Sequence, residues 1–319
     1  MTTGGAAPVA LAYAAAAALT CALTPLARWL ALRSGALDLP NERKMHQRPI
    51  PTSGGVAIIA GFVVAAAVAG RLPQTRVQAL AAILTGALAV ALVGFIDDRK
   101  PIRARTKLAL QLLSTTPLLI SGVTVSFLTD PFHHSIIALP TWLAWAITVL
   151  WVVGVTNAIN LIDGLDGLAC GVTAIACVAL AIVATAWHQP AVALLCAALA
   201  GASAGFLPWN WHPARIYMGD TGAYFLGYMV ASLTILGAFK MAAAISVLVP
   251  ILVLAVPLLD TVLSPVRRYF HGRPAFAADR EHLHHRLVAM GLSESRVVLL
   301  TYAVTAVCGA IAIWISRKG

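Results

Sequence analysis

Residues 81–107 read AAILTGALAVALVGFIDDRKPIRARTK, a stretch without charge until it ends abruptly in Asp97-Asp98-Arg99-Lys100. The preceding charge is Arg76, so the uncharged run has the length of roughly 20 residues that a helix needs to cross a hydrocarbon core. The same alternation of long apolar runs and short charged ends recurs along all 319 residues, 60% of them hydrophobic and 11% charged. Ordinary soluble domains carry about 25% charged residues. Ten spans are expected, near 7–32, 54–70, 76–96, 107–122, 141–157, 168–187, 190–208, 221–238, 242–263 and 295–316. The predicted fold is an all-α polytopic integral membrane protein, a single membrane-embedded domain over 1–319.

Outward from that stretch, counting crossings in alternation puts five polar islands on one side. They are Asn41–Gly55, Gly94–Lys107, Asn157–Ala169, Pro208–Gly222 and Arg267–Gly291, overlapping loops at about 33–53, 97–107, 157–168, 208–220 and 264–294. With Asp38 and Asp260 at their edges, the islands hold all the acidic residues except Asp130 and Glu294, ten of twelve. On the opposite side lie Arg71, Arg76, Lys240, Arg317 and Lys318, leaving seventeen of the 22 basic residues with the islands. Positive-inside bias then makes the islands cytoplasmic and both termini external, in a multi-pass protein of the cell's inner (plasma) membrane. Met1–Ala10 has no basic residue ahead of the first apolar run, so that run is expected to stay as a span.

Several function classes are disfavoured. The formal charge of +10 has no separate basic soluble domain to carry nucleic acid. Cys21, Cys170, Cys177, Cys196 and Cys308 all sit in apolar runs without a C-x-x-C pair, as buried small hydrophobes do. Neither a G-x-x-x-x-G-K loop nor H-E-x-x-H occurs. The loop at about 123–140 mixes β-branched residues with Pro131 and Pro140, consistent with a small hairpin. Gln111, Ser114, Thr115, Thr116 and Pro117 make segment 107–122 a span that faces protein rather than lipid.

The islands contain residues suited to metal and phosphate. Asp97 and Asp98, adjacent at a span end, suit a divalent cation, or one ligand plus one proton acceptor; pairing with Arg99 and Lys100 is the plain alternative. In Asn157-x-x-Asn160-x-x-Asp163-x-x-Asp166, three-residue spacing lets consecutive members share a helix face. Gly164 and Gly167 then interrupt the helix and allow backbone to approach a ligand. Such a series would be costly at mid-bilayer, about 2.5–3.5 kcal/mol per central Asp; capping of the next helix explains one Asp of the series. Asp220 in Met218-Gly219-Asp220-Thr221-Gly222 is either an N-cap or a ligand in an open turn, with Asn210 and Arg215 close before it. In His282-Leu283-His284-His285-Arg286, helical spacing puts His282 and His285 on one face, and imidazoles with Arg286 suit a diphosphate. His46, among Lys44, Arg43 and Arg48, is the loop histidine with the most phosphate-like surroundings.

Together the strings ERKMHQRPIPTSGG, GFIDDRKPIRARTKLALQ, TNAINLIDGLDGLA, FLPWNWHPARIYMGDTGA and DREHLHHRL resemble the polyprenyl-phosphate N-acetylhexosamine-1-phosphate transferases, a glycosyltransferase family 4 type. They stand in the family's order from Asp38 to Gly291. DREHLHHRL is similar to the branch that uses UDP-N-acetylglucosamine to start wall teichoic acid, O-antigen (lipopolysaccharide) or related cell-envelope glycans. Pro51-Thr52-Ser53-Gly54-Gly55 is closer to the branch that transfers phospho-muramoyl-pentapeptide, since the glucosamine branch usually has a basic residue at position 52.

The resemblance implies about ten helices, a cytoplasmic-face active cleft and a ninth helix that breaks near Pro257 or Pro265. It implies transfer of N-acetylglucosamine 1-phosphate from UDP-N-acetylglucosamine to undecaprenyl phosphate, with release of UMP. It implies Mg²⁺ as cofactor, with Mn²⁺ as substitute, and as partners the lipid acceptor, the UDP-sugar and the bilayer, with no nucleic acid. Homodimers are compatible with such a bundle. Carried over by motif, Asp220 binds the metal, with Asp97 and Asn160 assisting, and Asp98 orients or deprotonates the acceptor. Asn157, Asn160, Asp163 and Asp166 build the nucleotide wall opposite Asn210. His284, His285, Arg286 and His282 hold the diphosphate or sugar phosphate, and Lys44, His46 and Arg48 lie near the substrate phosphates. A transporter is the rival from another class, but transporters place ionisable residues near the midplane of broken helices rather than at span ends.

Overall fold

The computed structural model describes residues 6–39, 49–69, 76–129, 136–238, 243–261 and 283–318. Its helices in chain order are α1 (Ala6–Ser34), α2 (Gly55–Ala69), α3 (Val77–Asp97), α4 (Ala104–Ser114), α5 (Thr116–Ile120), α6 (Thr141–Ile162), α7 (Leu168–Ala186), α8 (Pro190–Asn210), α9 (Gly219–Ala238), α10 (Ala243–Val253), α11 (255–261), α12 (Leu283–Ala289) and α13 (Glu294–Ser316). Six of them, α1, α3, α6, α7, α8 and α13, are long and apolar enough to cross a membrane, and α2 is a shorter apolar helix. The expected hairpin is present: β3 (Phe127–Thr129) pairs antiparallel with β4 (Ile136–Ala138). A second short antiparallel pair, β1 (Leu37–Asp38) with β2 (Ile50–Pro51), ties the end of α1 to the start of α2.

Segment 107–122 is not one helix. It turns at Thr115 into α4 and the five-residue α5, because Pro117 lacks the N–H that would continue the ladder. Only one side of α4 faces protein. Gln111 and Ser114 are buried, whereas Leu108, Leu112 and Leu113 are exposed. Among the described residues of the expected ninth span, α10 gives way to α11 at Leu254, where helical hydrogen bonds continue: the Leu254 N–H donates to the Pro250 carbonyl (3.0 Å) and the Leu258 N–H to that of Leu254 (3.0 Å). Pro257 falls inside α11, and Pro265 lies outside the described residues.

α9 sits at the centre, packed on α3 and α6 with α2 and α8 beside it, while α1 lies along α8 and α13 along α7. Its Tyr224, Phe225 and Tyr228 are among the largest fully buried side chains. Polar ties hold it in depth and rotation. The Tyr228 hydroxyl donates to the Ser114 carbonyl (2.8 Å), Trp151 Nε1 to Thr234 Oγ1 (3.0 Å) and Gln189 Nε2 to the Gly237 carbonyl (2.9 Å). Four buried hydroxyls elsewhere are satisfied within their own helices. Thr24, Thr148, Thr156 and Ser203 each donate to the carbonyl four residues earlier, which hides a donor where no water can reach it.

At one end of the bundle α3 and α9 meet backbone to backbone at Gly94. A Cβ there would lie 2.5 Å from the Asp220 carbonyl carbon and 2.6 Å from the Thr221 nitrogen. Gly94→Val is therefore expected to lower detergent-phase stability by about 1–3 kcal/mol through overpacking. A thermal melt checks this, and an unchanged melt would mean that α3 and α9 do not touch there.

Candidate functional site

Four of the five polar islands converge on this end, through residues 49–55, 94–107, 157–169 and 208–222. α3 ends in Asp97, and the following turn presents Asp98 to the start of α9. The Asp98 carboxylate accepts hydrogen bonds from the Asp220 N–H (2.8 Å), the Thr221 N–H (3.2 Å) and the Thr221 hydroxyl (2.7 Å). It satisfies the first donors of the helix and lies at the positive end of its dipole. Gly219, with φ of +69°, makes the turn into α9, and a Cβ there would lie 2.7 Å from Thr52 Oγ1 and collide with Asp98. The chain around Thr52 is itself pinned: Tyr217 N–H donates to Pro51 (2.9 Å), Gly54 N–H to Tyr217 (2.9 Å) and Gly55 N–H to Met218 (3.0 Å).

Beside this cap, Asp97, Asp220, Asn160 and Lys107 form a polar cluster. The Lys107 ammonium pairs with Asp97 Oδ2 and stands 3.5 Å from Asp220 Oδ2. Asp97 Oδ1 accepts the Ile102 N–H (2.7 Å), and Asp220 Oδ1 accepts the Asn160 amide (2.9 Å). One turn deeper, Asn157 and Gln111 join α6 to α4 in a reciprocal amide pair of 2.7 and 3.3 Å. Lys107 and Gln111 are four apart on α4, and Asn160 and Asn157 three apart on α6, so two matching polar faces meet across the gap.

Carboxylates outnumber cations here. No donor among the described residues reaches the half-buried Asp163 carboxylate. Burial, and then the negative charges of Asp220, Asp98 and Asp166, push its pKa well above the usual carboxylate range. Asp98 is raised as well, by burial first, although Thr221 and the α9 backbone hold it down. An excess of hard oxygen donors short of positive charge fits a divalent ion of the Mg²⁺ type, and Asp97, Asp220 and Asn160 are the residues that would hold it.

Asp166 belongs to a neighbouring cluster. Its Oδ2 accepts the Ala214 N–H (2.9 Å) and lies 3.0 Å from His212 Nδ1, which in turn is 3.4 Å from Glu294 Oε2. Asn210 is 2% exposed, and both ends of its amide are spent on backbone, accepting the Gly167 N–H (3.1 Å) and donating to the Ile216 carbonyl (3.2 Å). It fastens the 163–167 turn to the 211–218 loop, with Tyr302 donating to the Gly167 carbonyl (2.6 Å) from α13.

The site residues expected from sequence thus divide. Asp97, Asp98, Asn160 and Asp220 come together, with Asp163 close enough to feel their charge; Asn157 lies one turn below, and Asp166 and Asn210 shape the adjoining loops. His284 and His285 fall in α12 with side chains outside the described residues, Arg286 is exposed, and Lys44, His46, Arg48 and His282 lie outside the described residues. Lys107, Gln111, Thr221, His212 and Glu294 were not anticipated. The first two were readable as an i, i+4 polar pair on an otherwise leucine-rich helix.

Residues 80–238 match the profile of glycosyl transferase family 4. The chain is 36% identical over 282 residues to a probable undecaprenyl-phosphate N-acetylglucosaminyl 1-phosphate transferase of Bacillus subtilis (strain 168), covering 88% of this chain and 78% of that protein. It is 37% identical over 321 residues to a decaprenyl-phosphate N-acetylglucosaminephosphotransferase of Mycobacterium tuberculosis (strain CDC 1551 / Oshkosh), covering 92% and 79%. A phospho-N-acetylmuramoyl-pentapeptide-transferase of Desulforudis audaxviator (strain MP104C) is 32% identical over 290 residues, covering 82% and 83%.

Proposed function

Because the chain belongs to glycosyl transferase family 4, we propose that it transfers N-acetylglucosamine 1-phosphate from UDP-N-acetylglucosamine to a polyprenyl phosphate, giving the lipid diphosphate sugar and UMP. The observation that carries this reading is the likeness, over most of both chains, to two relatives named for this reaction on undecaprenyl and decaprenyl phosphate. The oxygen-donor cluster of Asp97, Asp220 and Asn160 at one end of the bundle supports it. We take that end to be cytoplasmic, in a bundle of about ten spans with both termini external.

The reaction joins two anions. An acceptor phosphate monoester, with its second pKa near 6, is largely dianionic at neutral pH, so it needs charge compensation more than a base. A bound Mg²⁺ ion supplies that compensation at the diphosphate and the developing negative charge. Asp97, Asp220 and Asn160 would hold the ion, and the Asn160 amide also orients the Asp220 carboxylate. Asp98, whose oxygens are engaged by α9, is a positioning residue that fixes where Asp220 stands. Asp163 and Asp166 line the nucleotide side, and Arg286, His284 and His285 reach the diphosphate. Lys107 is the cation nearest the reacting phosphates.

The test is UMP release by the detergent-solubilised chain given Mg²⁺ and undecaprenyl phosphate. UDP-N-acetylglucosamine, UDP-N-acetylgalactosamine and UDP-muramoyl-pentapeptide go in separate tubes. Release that requires both lipid and UDP-N-acetylglucosamine is expected. Release with the muramoyl donor alone would move the chain to the other branch, and no release from folded protein would favour transport.

A further inference from the structure

We propose that Lys107 is a placeholder cation. Its ammonium occupies the divalent-ion position between Asp97 and Asp220 in the metal-free protein and leaves it when the ion binds, becoming free to hold an anionic phosphate. This rests on the reading of Asp97 and Asp220 as ion ligands.

The placement of the oxygens carries the inference. Each carboxylate has one oxygen committed to the protein: Asp97 Oδ1 to the Ile102 N–H at 2.7 Å, and Asp220 Oδ1 to the Asn160 amide at 2.9 Å. The remaining pair, Asp97 Oδ2 and Asp220 Oδ2, are the two that face Lys107 Nζ. An ion needing oxygens at about 2.0–2.1 Å finds its best-placed lone pairs on this Oδ2 pair, since each Oδ1 already spends one on a protein donor, and an ammonium seated between the two crowds and repels it. Ion and lysine therefore compete for one position.

The lysine is also built to leave. Its side chain and that of Asp220 are each 28% exposed, whereas that of Asp97 is 7% exposed, so the ammonium has a route to solvent. It rises from the first turn of α4, where Arg103 and Arg105 stand exposed and mark the water-facing end. A lysine is a mobile point charge on a flexible stem, able to satisfy two carboxylates in one state and a phosphate in another. Without it, two carboxylates would face each other with no cation between them. With it fixed in place, the ion could not enter.

Competition implies a coupling of definite sign. The ammonium and the ion disfavour each other, so deleting the ammonium must strengthen ion binding. In the full chain without substrates, Mn²⁺ binding followed by electron paramagnetic resonance is expected to be roughly tenfold tighter in Lys107→Gln than in the parent. Lys107→Arg, which keeps the charge, is expected to bind no more tightly than the parent. Equal or weaker binding in Lys107→Gln would overturn the inference while leaving the ion site standing. No Mn²⁺ binding in either protein would overturn the ion site as well. A second measurement needs no variant: farnesyl phosphate is expected to bind the parent more tightly with Mn²⁺ present, and no change would overturn the release of Lys107.

Discussion

Asp220→Ala is expected to reduce UMP release by about a thousandfold or more while the protein melts close to the parental temperature. The two halves of this expectation come from different parts of the residue. The backbone N–H of Asp220 is held by Asp98 whatever side chain follows it, so the start of α9 survives the substitution. The carboxylate is 28% exposed and meets the polar side chains of Asn160 and Lys107. Losing it removes one of two carboxylates able to anchor an ion and leaves Lys107 with Asp97 alone. UMP release and a thermal melt on the same preparation test both halves. Normal Mg²⁺-dependent turnover in Asp220→Ala would remove Asp220 from the metal site. A collapsed melt with no turnover would make its role structural.

The extent to which this site is legible in sequence depends on the distance over which each residue acts. Asp97, Asn160 and Asp220 stand at helix ends beside charged turns, and a helix end is visible in a single chain because apolar periodicity stops there. Thus the convergence of GFIDDRK, NAINLID and MGDTG needs only the alternation of spans to be expected. The partners of those residues are less visible. Asp98 reads as the twin of Asp97, yet the two point at different neighbours, one at Lys107 and the other at the first N–H groups of α9. Nothing in the dipeptide itself separates them, because the separation is made by α9 crossing α3 at Gly94. Asn210 likewise carries the amide expected of a substrate contact but spends both its ends on Gly167 and Ile216, a use that depends on a loop closing 43 residues away. Thr115 shows the local side of the same limit: apolar content alone reads 107–122 as one span, while Pro117 splits it.

Asp98→Ala should be the most disruptive of the carboxylate changes, because it strips the start of the central helix as well as a charge from the site. Three donors would lose their acceptor, two of them backbone N–H groups at a buried helix start. Loss of a cap together with unsatisfied donors costs about 2–4 kcal/mol. With α9 frayed, Asp220 no longer stands opposite Asp97, so turnover falls with stability, and added Mg²⁺ restores neither. The conservative change separates this from direct chemistry. Asp98→Asn keeps an oxygen for the Asp220 N–H but turns an amide NH₂ toward Thr221, so it is expected to lose about 1 kcal/mol and retain measurable UMP release. Thr221→Val, which removes only the hydroxyl donor, should move stability in the same direction and by less. Were Asp98 instead the group that attacks phosphorus or takes the acceptor's proton, Asp98→Asn would abolish turnover at an unchanged melting temperature, and Thr221→Val would do neither. Melting curves and UMP release on these three variants therefore decide whether Asp98 positions Asp220 or reacts.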